Sequence, residues 1–266
     1  MDLELKGKAA IVTGGNRGIG KAIARELARE GVDVALLARD KAALAAAAAE
    51  IARESGVKVL QLSADTGDDA AVKRAVAEAA SAFGRIDILV NCAAQVGGQA
   101  KPPVLAEITN DHFWSDMNIK VMGYLRTARE VAPHMIRQRS GRIVNVSGLA
   151  ARSTGTIIGS MRNIAVAALT KNLADELSPH GIAAVCVHPG LTRTEKTPGV
   201  VAAQAKAQGV PEAEIEKRMA GRNLAKRLIT AEDIANVVVF CCSPKAVALN
   251  GDAIAAGGGT PGAIHY

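Results

Sequence analysis

The chain has 266 residues, 49% of them hydrophobic, and a formal net charge of +6. That is enough apolar material for one large core without staples, while an aromatic content of 2% leaves too few rings for the stacking platforms that hold single-stranded nucleic acid. The positive balance favours anionic ligands, but no basic run is dense enough for a nucleic-acid arm, so the charge reads mainly as a solvated surface. The first element is a short apolar strand, Lys8-Ala9-Ala10-Ile11-Val12. It runs into Thr13-Gly14-Gly15-Asn16-Arg17-Gly18-Ile19-Gly20 and then into an amphipathic helix from Lys21 to Glu30, stopped by Gly31. Glycines at 14, 18 and 20 permit a tight turn and the close approach of a phosphate, at which the helix start aims its unpaired N–H groups. A glycine-rich turn set between a buried strand and a helix reads as a dinucleotide pocket, with Gly14, Asn16, Arg17, Gly18, Ile19 and Gly20 against the ligand.

Val32 to Ala38 is the second strand, followed by Arg39. Arg39 and Arg17 converge on one corner, where two planar forks of donors suit a ribose phosphate. Residues 41–54 are almost entirely strong helix formers. Val57 to Leu62 is the third strand, ending in Ser63-Ala64-Asp65-Thr66, and Asp68 caps a helix that runs to Phe83 before Gly84. Arg85 to Asn91 is the fourth strand, and residues 95–110 form a loop over the pocket mouth. One long helix is expected from about Asp111 to Gln138, with Lys120 and Tyr124 read as ordinary surface and packing residues. The fifth strand runs from Gly141 to Ser147, a helix from Ser160 to Leu177, and the sixth strand from Ile182 to Val187. Glu195 to Arg227 is polar and helical in character. Ala231 to Cys242 is a last helix before Asn250-Gly251-Asp252 and Gly257-Gly258-Gly259. Strands alternating with helices imply an α/β fold: a single-domain, Rossmann-type, doubly wound parallel sheet covered by helices on both faces, spanning residues 1–266.

Four cysteines (Cys92, Cys186, Cys241 and Cys242) have neither C-x-x-C nor metal-ligand spacing. No metal is expected, and Cys241-Cys242 reads as core filling. Met1 to Lys8 carries no apolar targeting core and no stretch is long enough to span a bilayer, so a cytoplasmic protein without a membrane partner is the expectation.

The spacing T-G-x-x-x-G-I-G at Thr13–Gly20 resembles the opening of short-chain dehydrogenase/reductases, and the likeness extends over nearly the whole chain. Asn91-Cys92-Ala93-Ala94 stands where that family has Asn-Asn-Ala-Gly, matching at Asn91 and Ala93. Ser147 matches the serine that holds a substrate carbonyl, and Asn118 the active-site asparagine. Pro189-Gly190-Leu191-Thr192-Arg193-Thr194 resembles P-G-x-x-x-T, whose loop and threonine contact the nicotinamide amide. Asp65, with Thr66, matches the turn whose carboxylate accepts from the adenine amino group. In members that prefer NAD an acidic residue ends the second strand. Here Ala38 stands there with Arg39 beside it, which favours NADP(H). The resemblance further implies a substrate lid near 195–227, a small-molecule substrate, and a homo-oligomer (dimer or tetramer) formed through the helices at 111–138 and 160–177.

One family feature is missing. The reaction uses a tyrosine as general acid or base, with a lysine four residues later that lowers its pKa. Alignment on Ala165–Lys171 puts Gly159 at the tyrosine and Asn163 at the lysine, and a two-residue slip puts Met161 and Ala165 there. Neither tyrosine of the chain, Tyr124 or Tyr266, is followed by a lysine at that interval. Arg162 stays protonated, His188 reads as a structural residue at a strand end, and Tyr266 would have to reach a neighbouring subunit. Three readings follow. One is an NADP(H)-dependent oxidoreductase acting on a small carbonyl, alcohol, C=C or C=N substrate, with Ser147 and Asn118 at the site and a non-standard proton relay. Another is a catalytically inactive NADP(H)-binding regulator or partner subunit. The third, a cofactor-independent lyase resembling halohydrin dehalogenases, fits less well, because those lose the nucleotide turn and keep a tyrosine.

Overall fold

The computed structural model describes residues 1–94 and 102–264. The first half alternates strictly: β1 (Ala9–Thr13), α1 (Gly18–Arg29), β2 (Asp33–Ala38), α2 (Lys41–Ser55), β3 (Val59–Ser63), α3 (Asp69–Phe83) and β4 (Ile88–Asn91). The helices are delimited by local chemistry. Asp40 and Asp68 accept from the N–H groups of Ala43 and Ala71, and α2 and α3 end on left-handed Gly56 and Gly84. The second half holds α4 (Asn110–Met117), α5 (Gly123–Gln138), β5 (Gly141–Val146), α6 (Ile157–Leu177), β6 (Ile182–Pro189), β7 (Thr192–Arg193), α7 (Thr197–Gln208), α8 (Glu212–Ala220), β8 (Ile229–Thr230), α9 (Ala231–Cys242) and β9 (Ala253–Ala256).

Seven strands form one sheet in the order β3-β2-β1-β4-β5-β6-β9, and every neighbouring pair is parallel. A parallel sheet buries both faces, and successive residues here divide between two cores. Ala10, Val12, Val34 and Leu36 pack under α1, α2 and α9, whereas Ile11, Ala35, Leu37 and Leu89 pack under α3 and α5. The strand order reverses between β1 and β4, so the carboxyl ends of those strands open the crevice in which such sheets bind ligands. Outside the sheet, α7 and α8 pack on their own small core of Val201, Ala205, Ile215 and Met219. Among the described residues no helix is long and apolar enough to cross a membrane.

The long helix expected over 111–138 is not continuous. Between α4 and α5 residues Asn118–Met122 widen into a π turn, where the Gly123 N–H bonds the Asn118 carbonyl. Lys120 lies within this turn. Most of the loop expected over the pocket mouth (residues 95–101) and Tyr266 lie outside the described residues.

Candidate active site

At the end of β1 the chain passes through Gly14 (φ +68°) and Gly18 (φ +53°), left-handed conformations that favour glycine. Gly20 has a different constraint, since a Cβ there would stand 2.3 Å from the Gly14 carbonyl oxygen. The α1 amino end carries no side-chain cap. Instead the Gly18 N–H donates to both carboxylate oxygens of Glu195, at 3.0 and 3.2 Å. An anion from the chain itself is thus seated at the helix start, where partial positive charge and free N–H groups favour negative ligands.

Beside it lies a groove of about 550 Å³, walled by Gly14, Asn16, Arg17, Gly18, Ile19, Gly20, Arg39, Asp65, Thr66 and Ala93. With Thr194, these are the residues that the sequence singles out for the dinucleotide, except for Pro189 and Gly190, which line the neighbouring cavity, and Asn91. Asn91 does not reach the groove. It is fully buried, donates to the Asn145 Oδ1 at 3.0 Å and accepts from the Thr127 hydroxyl at 2.6 Å, so it ties β4 to β5 and α5. The groove contact comes from its neighbours, whose N–H groups (Cys92 and Ala93) are fixed by the Thr13 hydroxyl at 2.9 and 3.0 Å. At the far end Arg39 stands 3.6 Å from the Asp65 carboxylate, both well exposed.

A larger cavity of about 1250 Å³ adjoins the groove and shares Ile19, Cys92, Ala94 and Thr194 with it. Ser147, Pro189 and Gly190 lie on its wall, as do Thr197, Val200 and Gln204 of α7, Met219 of α8 and Arg222 just beyond. Gly159 and Asn163 line it too, and no aromatic side chain fills the space at position 159. The start of α6 leaves little room for one: Thr156 caps the helix through the Gly159 N–H at 3.3 Å, and a Cβ on Gly159 would sit 2.6 Å from the Thr156 methyl. The Ser147 hydroxyl donates to the Asn163 carbonyl at 3.0 Å. His188 is buried behind the wall, its Nδ1 accepting from the Gly148 N–H at 3.4 Å, in the structural place expected of it.

Two expectations about this wall need correction. Asn118 is not on it: its side chain donates to the Gly67 carbonyl at 3.4 Å and its own carbonyl accepts from Arg126 at 3.1 Å, so it joins the π turn to the loop after β3. Lys120, expected at the surface, is 4% exposed and lines the cavity. Its ammonium donates to the Ser147 carbonyl at 2.9 Å and to Asn163 Oδ1 at 3.1 Å. Burial, with Arg162 nearby, lowers its pKa from 10.5 to about 7. Tyr124 is fully buried and its hydroxyl donates to the Val146 carbonyl at 2.9 Å, a packing role as expected. Burial pushes the thiols of Cys92 and Cys186 up to about 11, and Arg162 is held by both oxygens of Asp116 at 2.6 and 2.7 Å. Among the described residues no group of histidine, cysteine and carboxylate side chains has the arrangement of a metal site.

Residues 8–205 match the profile of the short chain dehydrogenase family. The short-chain reductase protein NovJ of Streptomyces niveus is 34% identical over 253 residues, covering 95% of this chain and 93% of that protein. The 3-oxoacyl-[acyl-carrier-protein] reductase FabG of Staphylococcus epidermidis is 31% identical, over 95% of this chain and 98% of its own. Among solved structures, the L-sorbose reductase of Gluconobacter frateurii in complex with NADPH and L-sorbose superposes with a TM-score of 0.92 at 30% identity, covering 99% of this chain and 100% of that one. With its glycine turn, its parallel sheet and a match across most of its length, this chain belongs to the short-chain dehydrogenase/reductase family.

Proposed function

We propose that the protein is an NADP(H)-dependent oxidoreductase that interconverts a small carbonyl compound and its alcohol, or reduces a C=C or C=N bond, through a non-standard proton relay. The observation that carries this reading is the junction of the two cavities, where a groove built for a dinucleotide opens into a space walled by Ser147 and a buried amine. The residues present fit the cofactor: the α1 amino end already takes a carboxylate, which stands in for a pyrophosphate. Arg17 and Arg39 would hold the ribose phosphate, Asp65 and Thr66 would meet the adenine, and Pro189, Gly190 and Thr194 would flank the nicotinamide. When bound, the reduced nicotinamide supplies a hydride. The chain's own contribution is to seat the substrate against Ser147, whose hydroxyl must turn from the Asn163 carbonyl to donate to a substrate oxygen, and to cover it with α7 and α8. Positioning of that kind contributes roughly 7–11 kcal/mol.

The L-sorbose complex of a relative supports a polar carbonyl substrate, as do the charged side chains on the cavity wall: Glu107, Asp111, Asp116, Arg162 and Arg222. Fluorescence titration with NADPH and NADH, followed by cofactor oxidation against a panel of ketoses, ketones, enones and imines, tests the reading. It predicts tighter binding of NADPH and turnover of at least one polar carbonyl. Binding of neither dinucleotide, or binding with no turnover across the panel, would refute it.

A further inference from the structure

The amino group that the family carries on the helix after β5 is present in this protein, but it arrives from another element. Asn163 occupies the family's lysine position on α6, and its Oδ1 accepts from Lys120 Nζ at 3.1 Å. The nitrogen of Lys120 therefore lies one hydrogen bond from the side chain that replaces the missing lysine. The two arrangements exclude each other: lysines at both 120 and 163 would press two ammonium groups together inside a buried wall. With asparagine at 163, the same spot offers an acceptor that holds the incoming amine in place.

We propose that Lys120, which lines the cavity beside Ser147, exchanges the proton with the substrate oxygen and so takes over the task of the tyrosine absent at Gly159. This rests on the oxidoreductase reading above. An ammonium has three N–H donors. Two are committed to the Ser147 carbonyl and to Asn163 Oδ1, which leaves one for a ligand in the cavity that Lys120 lines. Gly159 lines the same cavity and puts no side chain into it. In the reductive direction the carbonyl carbon receives a hydride from the reduced dinucleotide, which is oxidised. The C=O π pair moves onto oxygen, the oxygen takes the proton from Nζ as that N–H bond breaks, and solvent restores the proton to the neutral amine. In the oxidative direction the neutral amine, still donating two hydrogens to Ser147 and Asn163, turns its lone pair to the alcohol and removes the proton.

The ionisable groups packed around Lys120 are two thiols, a phenol, an ion pair and an imidazole. Cys92 beyond β4 and Cys186 on β6 keep their protons, since burial pushes both to about 11. Tyr124, whose ring centre lies 6.0 Å from Nζ, is raised well above 10. Arg162 on α6 is neutralised by Asp116 on α4. His188 on β6 is turned to the Gly148 N–H and lies 3.9 Å from the Cys186 sulfur. A Lys120 pKa of about 7 matches the proton donor to its working pH.

The test combines a titration without cofactor and kinetics with it. In lysine labelled with carbon-13 at Cε, the signal lost in Lys120→Met should titrate near 7; a Lys120 midpoint at the 10.5 of an unburied lysine would overturn the proposal. In turnover, wild-type reduction should fall as pH rises through about 7 and alcohol oxidation should rise. Lys120→Met should lose about 10²- to 10⁴-fold in kcat together with that pH dependence. Lys120→Arg keeps charge and donors but does not release a proton, so it should lose as much kcat with KM for the dinucleotide little changed. Full kcat in Lys120→Arg would overturn proton exchange in favour of simple positioning. A wild type that turns over no carbonyl overturns both readings. A wild type that turns over, while Lys120→Met keeps its rate and pH profile, overturns the lysine assignment alone.

Discussion

Lys120 gives the folded chain a measurable pH signature, separate from any chemistry. Folding lowers its amine from 10.5 to about 7. Between those values the unfolded chain holds a proton that the folded chain has released, so stability rises with pH across the window, and the burial penalty is complete only below about 7. Lys120→Met removes the effect. The stability of wild type minus variant should therefore climb by about 1.4 kcal/mol per pH unit within the window and stay level below it, which urea unfolding series on either side and inside would check. A difference independent of pH would contradict the burial of a titrating amine. A second residue-scale prediction concerns Gly20. Alanine there would drive its Cβ against the Gly14 carbonyl at 2.3 Å, and the backbone on which it presses cannot swing aside. Gly20→Ala should cost more than about 2 kcal/mol and abolish dinucleotide binding; a thermal midpoint and NADPH affinity close to wild type would show the turn to be more compliant than its geometry indicates.

At the scale of elements, the α1 amino end and the loop after β7 compete. The Glu195 carboxylate sits on the Gly18 N–H, so a pyrophosphate arriving there has to displace it. A carboxylate at a helix start stabilises by about 0.3–1 kcal/mol, and Glu195→Gln should accordingly raise NADPH affinity by about two- to fivefold in a titration; weaker binding would mean that the carboxylate helps the cofactor. Across the groove, Arg39→Ala should weaken NADPH by about 10- to 100-fold, the worth of a charged hydrogen bond, and leave NADH unchanged. Equal losses for both would remove Arg39 from the phosphate corner. The contrast between these sites explains what the sequence reveals. The groove is legible because its parts are local: glycines between a strand and a helix, with an arginine one residue past the next strand. Lys120 is hidden because a lysine is almost never fully buried unless its charge is partnered, and the residue type alone points to the surface. Regular spacing sets it on the face of the buried Tyr124 and Thr127, but its partners, the Ser147 carbonyl and Asn163, come from distant segments that the local pattern does not show. Asn91 and Asn118 match the family by residue type, yet here one is committed to a buried amide network and the other to the loop after β3.

For the molecule as a whole, the parallel sheet sets the cofactor groove and the cavity side by side at the carboxyl ends of its strands, while α7 and α8 stand apart on their own core and wall the cavity. Apolar side chains on the outer face of α6, Met161 at 50% and Ile164 at 54% exposed, fit the expectation of a homo-oligomer formed through that helix. Light scattering should return a dimer or tetramer, and Ile164→Glu a smaller species with dinucleotide binding retained; a wild-type monomer would remove that expectation. The central claim is that this cavity transfers hydride to a carbonyl while Lys120 handles the proton. It is tested most directly by a single turnover with NADPH deuterated at C4, mixed with an accepted ketose in wild type and in Lys120→Met. The account predicts deuterium on the product's new carbinol carbon in wild type, and the same label appearing about 10²- to 10⁴-fold more slowly in the variant. NADPH bound without transfer of deuterium, or equal rates in both proteins, would contradict it.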